Sequence, residues 1–368
     1  MDSVRTASLA LLLSACSPTP APMPPTPSET PAPEPAPARR LEGAAPAAQL
    51  TIVAEAKRRF TGVAVDGEGQ VYVNFPRWSD DVPISVARLD ASGAWQPFPD
   101  AAWNGWSEGH DPRGAWVCVQ SVHVDGRGRL WVLDPGNPKF SGVVPGAPKL
   151  VRFELPSTTP GQVVRFDESV ARKGSYLNDV RIDVVRDVAF MTDSGDGALV
   201  VVDLKSGAAR RVLDDHPSTQ AEPVVLTIGG KPFDRKVHAD GIAYDPTEDY
   251  VYFQALTART LYRIAGSALR DADLEAAKLA SQVERVASSG ASDGLLYHQG
   301  RVWISALEHD AIRTVRMGEA PVTVVSDPTI AWPDSFAAHG GDVLFTTAQI
   351  HLGASATDPF RVWRLSAR

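Results

Sequence analysis

Residues 178–193 read "NDVRIDVVRDVAFMTD". Val180 and Ile182 alternate with Arg181 and Asp183, a short polar turn follows, and a second apolar run begins at Val188. Two such runs across a tight turn are the pattern of a β-hairpin. The pattern recurs along the chain: "TGVAVDGEGQVYVNF" from Thr61, "QSVHVDGRGRLWVLD" from Gln120, "DGIAYDPTEDYVYFQA" from Asp240, "DGLLYHQGRVWISA" from Asp293 and "DSFAAHGGDVLFTTA" from Asp334. Each copy is followed by a third run, such as "SVARLD", "ALVVVDL" or "TLYRI", and several by a fourth, such as "AWQPF", "QVVRFD", "ARRVL" and "VTVVS". Four short strands per module, repeating every 40–60 residues or about that, describe propeller blades. The fold class is therefore all-β, a six-bladed β-propeller. The sixth copy runs out at the C-terminus with no room for a fourth strand, and "QLTIVAEA" (Gln49–Ala56) stands unassigned ahead of the first. That N-terminal strand is expected to join the last blade and close the ring, which removes an exposed seam. One helix is expected, over Ala268–Leu279, with Leu269, Leu274 and Leu279 as its apolar contacts.

The whole chain sets bounds on what this propeller can be. Its 368 residues are 43% hydrophobic and 22% charged, with a formal net charge of -8. A chain of that sign is a poor nucleic-acid partner. No run beyond the N-terminus is apolar for the ~18 residues a transmembrane helix needs. Residues 1–15 carry Arg5 and then "TASLALLLSA", which reads as an export signal. Leu13-Ser14-Ala15-Cys16 resembles the lipobox of bacterial lipoproteins, which implies cleavage before Cys16 and its lipidation; an ordinary secretory signal is the alternative. Residues 16–48 are rich in Pro and Ala and favour extended polyproline II, a stalk ahead of a propeller at 49–368. The expected setting is the cell envelope, on its periplasmic or extracellular face, with the lipid as the sole membrane attachment and a monomeric chain. Cys118 has no intrachain partner in the mature protein and reads as a small buried hydrophobe.

In a propeller the first strand of each blade lines the central channel. Aligned on the alternating run, one position opens each inner strand: Thr61, Gln120, Asn178, Asp240, Asp293 and Asp334. All six bear oxygen and three are carboxylates, so they are expected to ring one mouth of the channel. Carboxylates brought together are costly unless a cation, a basic ligand group or water offsets them. Calcium suits such oxygens, so Asn178, Asp240 and Asp293 are the candidate metal ligands, with Ca2+ or another divalent ion as the candidate cofactor. The competing reading is local: Asn-Asp and Asp-Gly are ordinary turn dipeptides. Long loops follow the second strand in the first, second and sixth copies and short ones in the others, so the long loops are expected to wall one side of the mouth. They offer Phe75, Arg77, Trp78, Phe140, His351 and Phe360 to a small-molecule ligand. His123, in phase with its inner strand, and His238, two residues before Asp240, are candidate bases, with a structural role as the alternative for each.

Several segments resemble the Yellow/major royal jelly protein family: "VNFPRWSDDVPISVARLD", "GRLWVLDPG", "PKLVRFEL", "YLNDVRID", "AFMTDSGDGALVVVDL" and "GIAYDPTEDYVYFQALTARTLYRI". The resemblance covers about residue 54 to the C-terminus. It implies a secreted six-bladed propeller in a family whose insect members bind amines or other small molecules, some of them linked to melanin-pathway conversions. More distantly, Asn178-Asp179 and Asp240-Gly241 look like metal-ligand positions of the gluconolactonase/regucalcin propellers. That second likeness implies a divalent-metal-dependent lactonase or hydrolase, but those enzymes also take a glutamate where this chain has Thr61. Small-molecule binding, metal-dependent hydrolysis and a protein-interaction scaffold thus stand as the readings.

Overall fold

A computed structural model describes residues 49–356 and 359–366. The expected signal, stalk and lipidated Cys16 lie outside the described residues. Among the described residues no helix is long and apolar enough to cross a membrane.

Six four-stranded antiparallel sheets carry the fold. Their inner strands are Val63–Val65, Ser121–Val124, Leu177–Asp183, Ala239–Asp245, Ser292–His298 and Pro333–His339, here blades I to VI. Each inner strand packs against the next, and the sixth against the first, so the ring is closed. The inner and second strands of blades III and IV are buried almost throughout, and such faces fill the gaps between blades rather than one central core. Trp131 and Leu133 of blade II meet Val180, Ile182 and Met191 of blade III. Phe190 and Val201 of blade III meet Ile242 and Phe253 of blade IV. Val63 and Val73 of blade I meet Leu344 and Val362 of blade VI.

The ring closes as the sequence suggests. Gln49–Ala56 is the outer strand of blade VI, antiparallel to Phe360–Ser366, with Gln49 opposite Ser366 and Ala56 opposite Phe360. It also reaches blade I, because the Trp95 indole N–H donates to the Glu55 carbonyl at 3.0 Å.

Two expectations on local structure need correction. The helix over Ala268–Leu279 is instead two short helices, Gly266–Arg270 and Ala276–Ala280. Asp271 caps the break, its carboxylate accepting the Asp273 N–H at 3.0 Å, a local bond that competes with helical continuation. Leu269 and Leu279 are buried and Leu274 packs beside them, so the three apolar contacts survive the break. A third short helix, Ala101–Asn104, was not anticipated, nor was a hairpin of Leu226–Ile228 and Lys231–Phe233 between blades III and IV. That hairpin shapes the channel mouth.

Candidate functional site

Asn178-Asp179, Asp240-Gly241, Asp293-Gly294 and Asp334-Ser335 are not turns. Each sits where the pairing of the inner strand with its neighbour slips, at a β-bulge near the strand's start. A bulge re-aims a side chain and often borders a functional site. The glycines answer a second need. A Cβ at Gly241 would stand 2.3 Å from the Asp293 carbonyl oxygen, and one at Gly294 2.2 Å from that of Asp334. Glycine there lets adjacent inner strands close up, which draws the carboxylates together. Second-strand hydroxyls lock the arrangement across blades. Thr192 accepts the Asp179 N–H at 3.1 Å and donates to the Asp240 carbonyl of the next blade at 2.5 Å. Thr346 does the same between Ser335 and Thr61, across the ring closure.

Above these bulges lies a cavity of about 690 Å³. Of the six positions aligned by register, Gln120, Asn178, Asp240, Asp293 and Asp334 line it, and Thr61 does not. Blade I has no bulge at this point. The Thr61 hydroxyl is consumed locally, accepting from the Asn74 amide at 2.9 Å and facing the Gln120 carbonyl at 3.4 Å. Arg77 is also displaced from its expected place. Its guanidinium clamps loop carbonyls of Val117 and Val82, both at 3.0 Å, and lies over the Trp106 ring. Phe75 and Phe360 are core residues between blades I and VI. Trp78 and Phe140 do line the cavity and, with Tyr176, form one wall, ring centroids 5.5 Å and 4.9 Å apart in turn. His351 stacks on Trp332 at 5.8 Å without lining the cavity.

Neither histidine lines the cavity. His123 sits deeper along the channel, where burial and then the Arg181 charge push its pKa down to about 3, so it is neutral at physiological pH. The His238 Nδ1 accepts the Ala221 N–H at 3.1 Å, a structural bond that occupies the atom a base would use.

The floor of the cavity is acidic and buried. Asp240 and Asp334 are each 3% exposed and Asp293 6%. Burial, then repulsion from Asp293 and other channel carboxylates, holds the Asp240 and Asp334 carboxyls well above the usual range. Burial lifts Asp293 to about 7, although the Trp332 indole N–H donates to its Oδ2 at 2.6 Å. Asp240 and Asp293 lie beside each other in this floor, and the neighbouring Asp293 carboxyl raises Asp240 further. Asp179 adds a further buried carboxyl, raised by its burial and 3.7 Å from Arg181. One acceptor is left over: Asp334 Oδ2 is buried and has no hydrogen-bond partner.

The sequence reading missed Arg59, Tyr176, Trp332, Phe233, Arg235, Lys236 and Val237, all of which line this space. A register signal existed for the first three. Each lies two residues before a mouth position, ahead of Thr61, Asn178 and Asp334 in turn. Tyr176 accepts from the Trp78 indole at 2.7 Å and donates to Gln120 Oε1 at 3.0 Å, which joins the loop wall to the mouth.

The donors do not fit a calcium site as arranged. Calcium takes about 6–8 oxygens, whereas Asp293 Oδ2 is taken by the Trp332 indole and the position of the lactonase glutamate is the occupied hydroxyl of Thr61. Among the described residues no three His, Cys, Asp or Glu side chains are grouped to hold a metal ion.

A sequence model of the major royal jelly protein family matches residues 117–318, more than half of the chain. The chain belongs to that family. Major royal jelly protein 5 of Apis mellifera is 24% identical over 209 residues, 53% of this chain and 34% of its own length. Yellow-related salivary protein LJM17 of Lutzomyia longipalpis is 25% identical over 208 residues, 50% of this chain and 49% of its own length. The matches thus span half or less of these two relatives. Among solved structures, a luciferin-regenerating enzyme aligns with TM-score 0.55 at 14% identity, covering 87% of this chain and 95% of its own. A gluconolactonase from Xanthomonas campestris aligns with TM-score 0.55 at 15% identity, covering 87% and 90%. At such identity the likeness is one of fold. The family match takes in Gln120, Asn178, Asp240 and Asp293 of this major royal jelly family member, and stops short of Trp78 on one side and Asp334 on the other.

Proposed function

We propose that this member of the family is an exported, envelope-anchored propeller that binds a small organic cation at the mouth of its channel. One observation carries the reading: the buried Asp334 Oδ2 has no hydrogen-bond partner and stands among the buried carboxyls of Asp240 and Asp293. A buried acceptor without a partner costs about 1–3 kcal/mol, and a ligand ammonium would supply both the missing donor and the missing charge. The aromatic wall of Trp78, Phe140 and Tyr176 suits the apolar part of such a ligand. The test is a thermal-shift comparison of 2-phenylethylammonium, the neutral 2-phenylethanol and calcium chloride. The cation alone is expected to raise the melting temperature, with about 2.7 kcal/mol of stabilisation at a hundredfold excess over Kd. A rise with calcium alone would replace this reading by the metal-dependent one.

Export and anchoring rest on Leu13-Ser14-Ala15-Cys16. Cys16→Ser is expected to move the protein from the membrane fraction to the soluble fraction. Unchanged fractionation and mass would remove the anchor from the proposal.

A further inference from the structure

The cavity is polar along its depth as well as around its rim. Its floor holds the buried carboxyls Asp240, Asp293 and Asp334. Three cations, Lys173, Arg235 and Lys236, line the same cavity from exposed positions. Lys173 belongs to the segment leading into blade III, and Arg235 and Lys236 follow the hairpin that leads into blade IV. None of the three is in an ion pair or donates a side-chain hydrogen bond among the described residues, although Asp234 is adjacent in sequence. Elsewhere the basic side chains are largely engaged: Arg172 with Asp214, Lys139 with Asp80, Arg259 with Glu308. In a chain with 44 acidic and 36 basic residues, three unpaired cations around one opening are not a reflection of overall basicity. The fourth cationic residue of the lining, Arg59, is committed to the Ala348 and Gly353 carbonyls at 2.8 and 2.9 Å and lies near Asp334, so it belongs to the floor. The aromatic residues Trp78, Phe140, Tyr176, Phe233 and Trp332 line the same cavity.

We infer that the ligand is an aromatic zwitterion with its charges at opposite ends, an ammonium seated on the carboxyl floor and an anionic group held at the Lys173/Arg235/Lys236 rim. This rests on the cation-binding reading above and deepens it. The two poles contribute differently. The floor is buried, so its charge pairing is strong; the rim is exposed, and each pair there adds only about 0–1 kcal/mol and weakens with salt. The rim therefore selects among cations that the floor already accepts.

Titration calorimetry with three probes separates the two claims. The probes are 2-phenylethylamine, 4-(2-aminoethyl)benzoic acid with the carboxylate across the ring from the ammonium, and phenylalanine with both charges on one carbon. The para-substituted zwitterion is expected to bind about 5–10-fold more tightly than the simple amine, and phenylalanine more weakly than either. Raising the salt concentration is expected to narrow the first gap. A Lys173→Ala/Arg235→Ala/Lys236→Ala variant is expected to lose the preference for the zwitterion. It should bind 2-phenylethylamine at least as tightly as the wild type, because the rim no longer repels the cation. An added carboxylate that leaves affinity unchanged or lowers it, or a preference that survives in the triple variant, overturns the zwitterion while the acid floor stands. Failure of all three probes to bind overturns both.

Discussion

Lys149→Met is expected to cost about 3–5 kcal/mol, the usual loss when one partner of a buried ion pair is removed. The Lys149 ammonium is fully buried and spends its three donors on Asp134 Oδ2 at 3.1 Å, the Ala147 carbonyl at 2.9 Å and the Pro112 carbonyl at 3.1 Å. Asp134 in turn accepts the N–H groups of Val117, Cys118 and Gly136 at 2.7, 2.9 and 2.9 Å. The pair therefore pins the segment entering blade II to the long loop that carries Asn137 and Phe140. Methionine keeps the stem and removes the charge, which strands the Asp134 carboxylate in a dry site. Urea unfolding should show a lower midpoint at unchanged slope. The Asp134→Asn/Lys149→Met double variant should recover part of the loss, since the two positions share one network. A midpoint within error of the wild type would mean that the loop is held by other contacts.

Deleting Gln49–Ala56 is expected to leave the propeller at the edge of unfolding. Seven residue pairs join this strand to Phe360–Ser366. At about 1 kcal/mol net for each backbone hydrogen bond, together with the packing of Val53, Ala54 and Ala56 on the core between blades VI and I, the loss is comparable with the ~5–15 kcal/mol that holds a typical domain. It would also uncover the backbone edge of Phe360–Ser366, a template for association. Denaturant melts and sedimentation of the deleted chain check both consequences. A stable monomer with an unchanged midpoint would show that the closure adds little.

The blades were legible because one alternating pattern, one turn and one second strand recur six times, and the closing strand followed from arithmetic on the last blade. The mouth was legible only as a register. Alignment placed Asp240 and Thr61 at equivalent positions, yet Asp240 sits at a slip in the pairing and lines the cavity, while Thr61 sits at none and does not. That slip is made by the inner strand and its neighbour together. Asp240-Gly241 reads as a turn in isolation, because the carbonyl of Asp293 that demands the glycine lies about fifty residues away in sequence. Arg77 looked like a ligand contact for the same reason: the carbonyls it serves come from another blade's entry segment and from its own loop. The split of Ala268–Leu279 into two helices turned on a single Asx bond at Asp271 that apolar spacing does not report. The aromatic and basic residues of the hairpin between blades III and IV had no counterpart in the other copies, so the repeat gave no frame in which to place them.

On the proposed function, the buried carboxyl floor is kept for a cationic ligand at the expense of stability. Because the Asp334 pKa is raised in the folded state, the native protein holds its proton more tightly than the unfolded chain. The carboxyl is therefore a liability that grows with pH above the ordinary carboxylate range and vanishes below it. Asp334→Asn removes that charge while Asp240, Asp293, Asp179 and Arg59 still face the position. The direct measurement pairs 2-phenylethylammonium titration with urea melts of the wild type and Asp334→Asn slightly above neutral pH. The expected result is a variant more stable by on the order of 1 kcal/mol that binds the cation at least about 10-fold more weakly. A variant that binds the cation as tightly as the wild type, or that is destabilised with its affinity intact, would contradict the account.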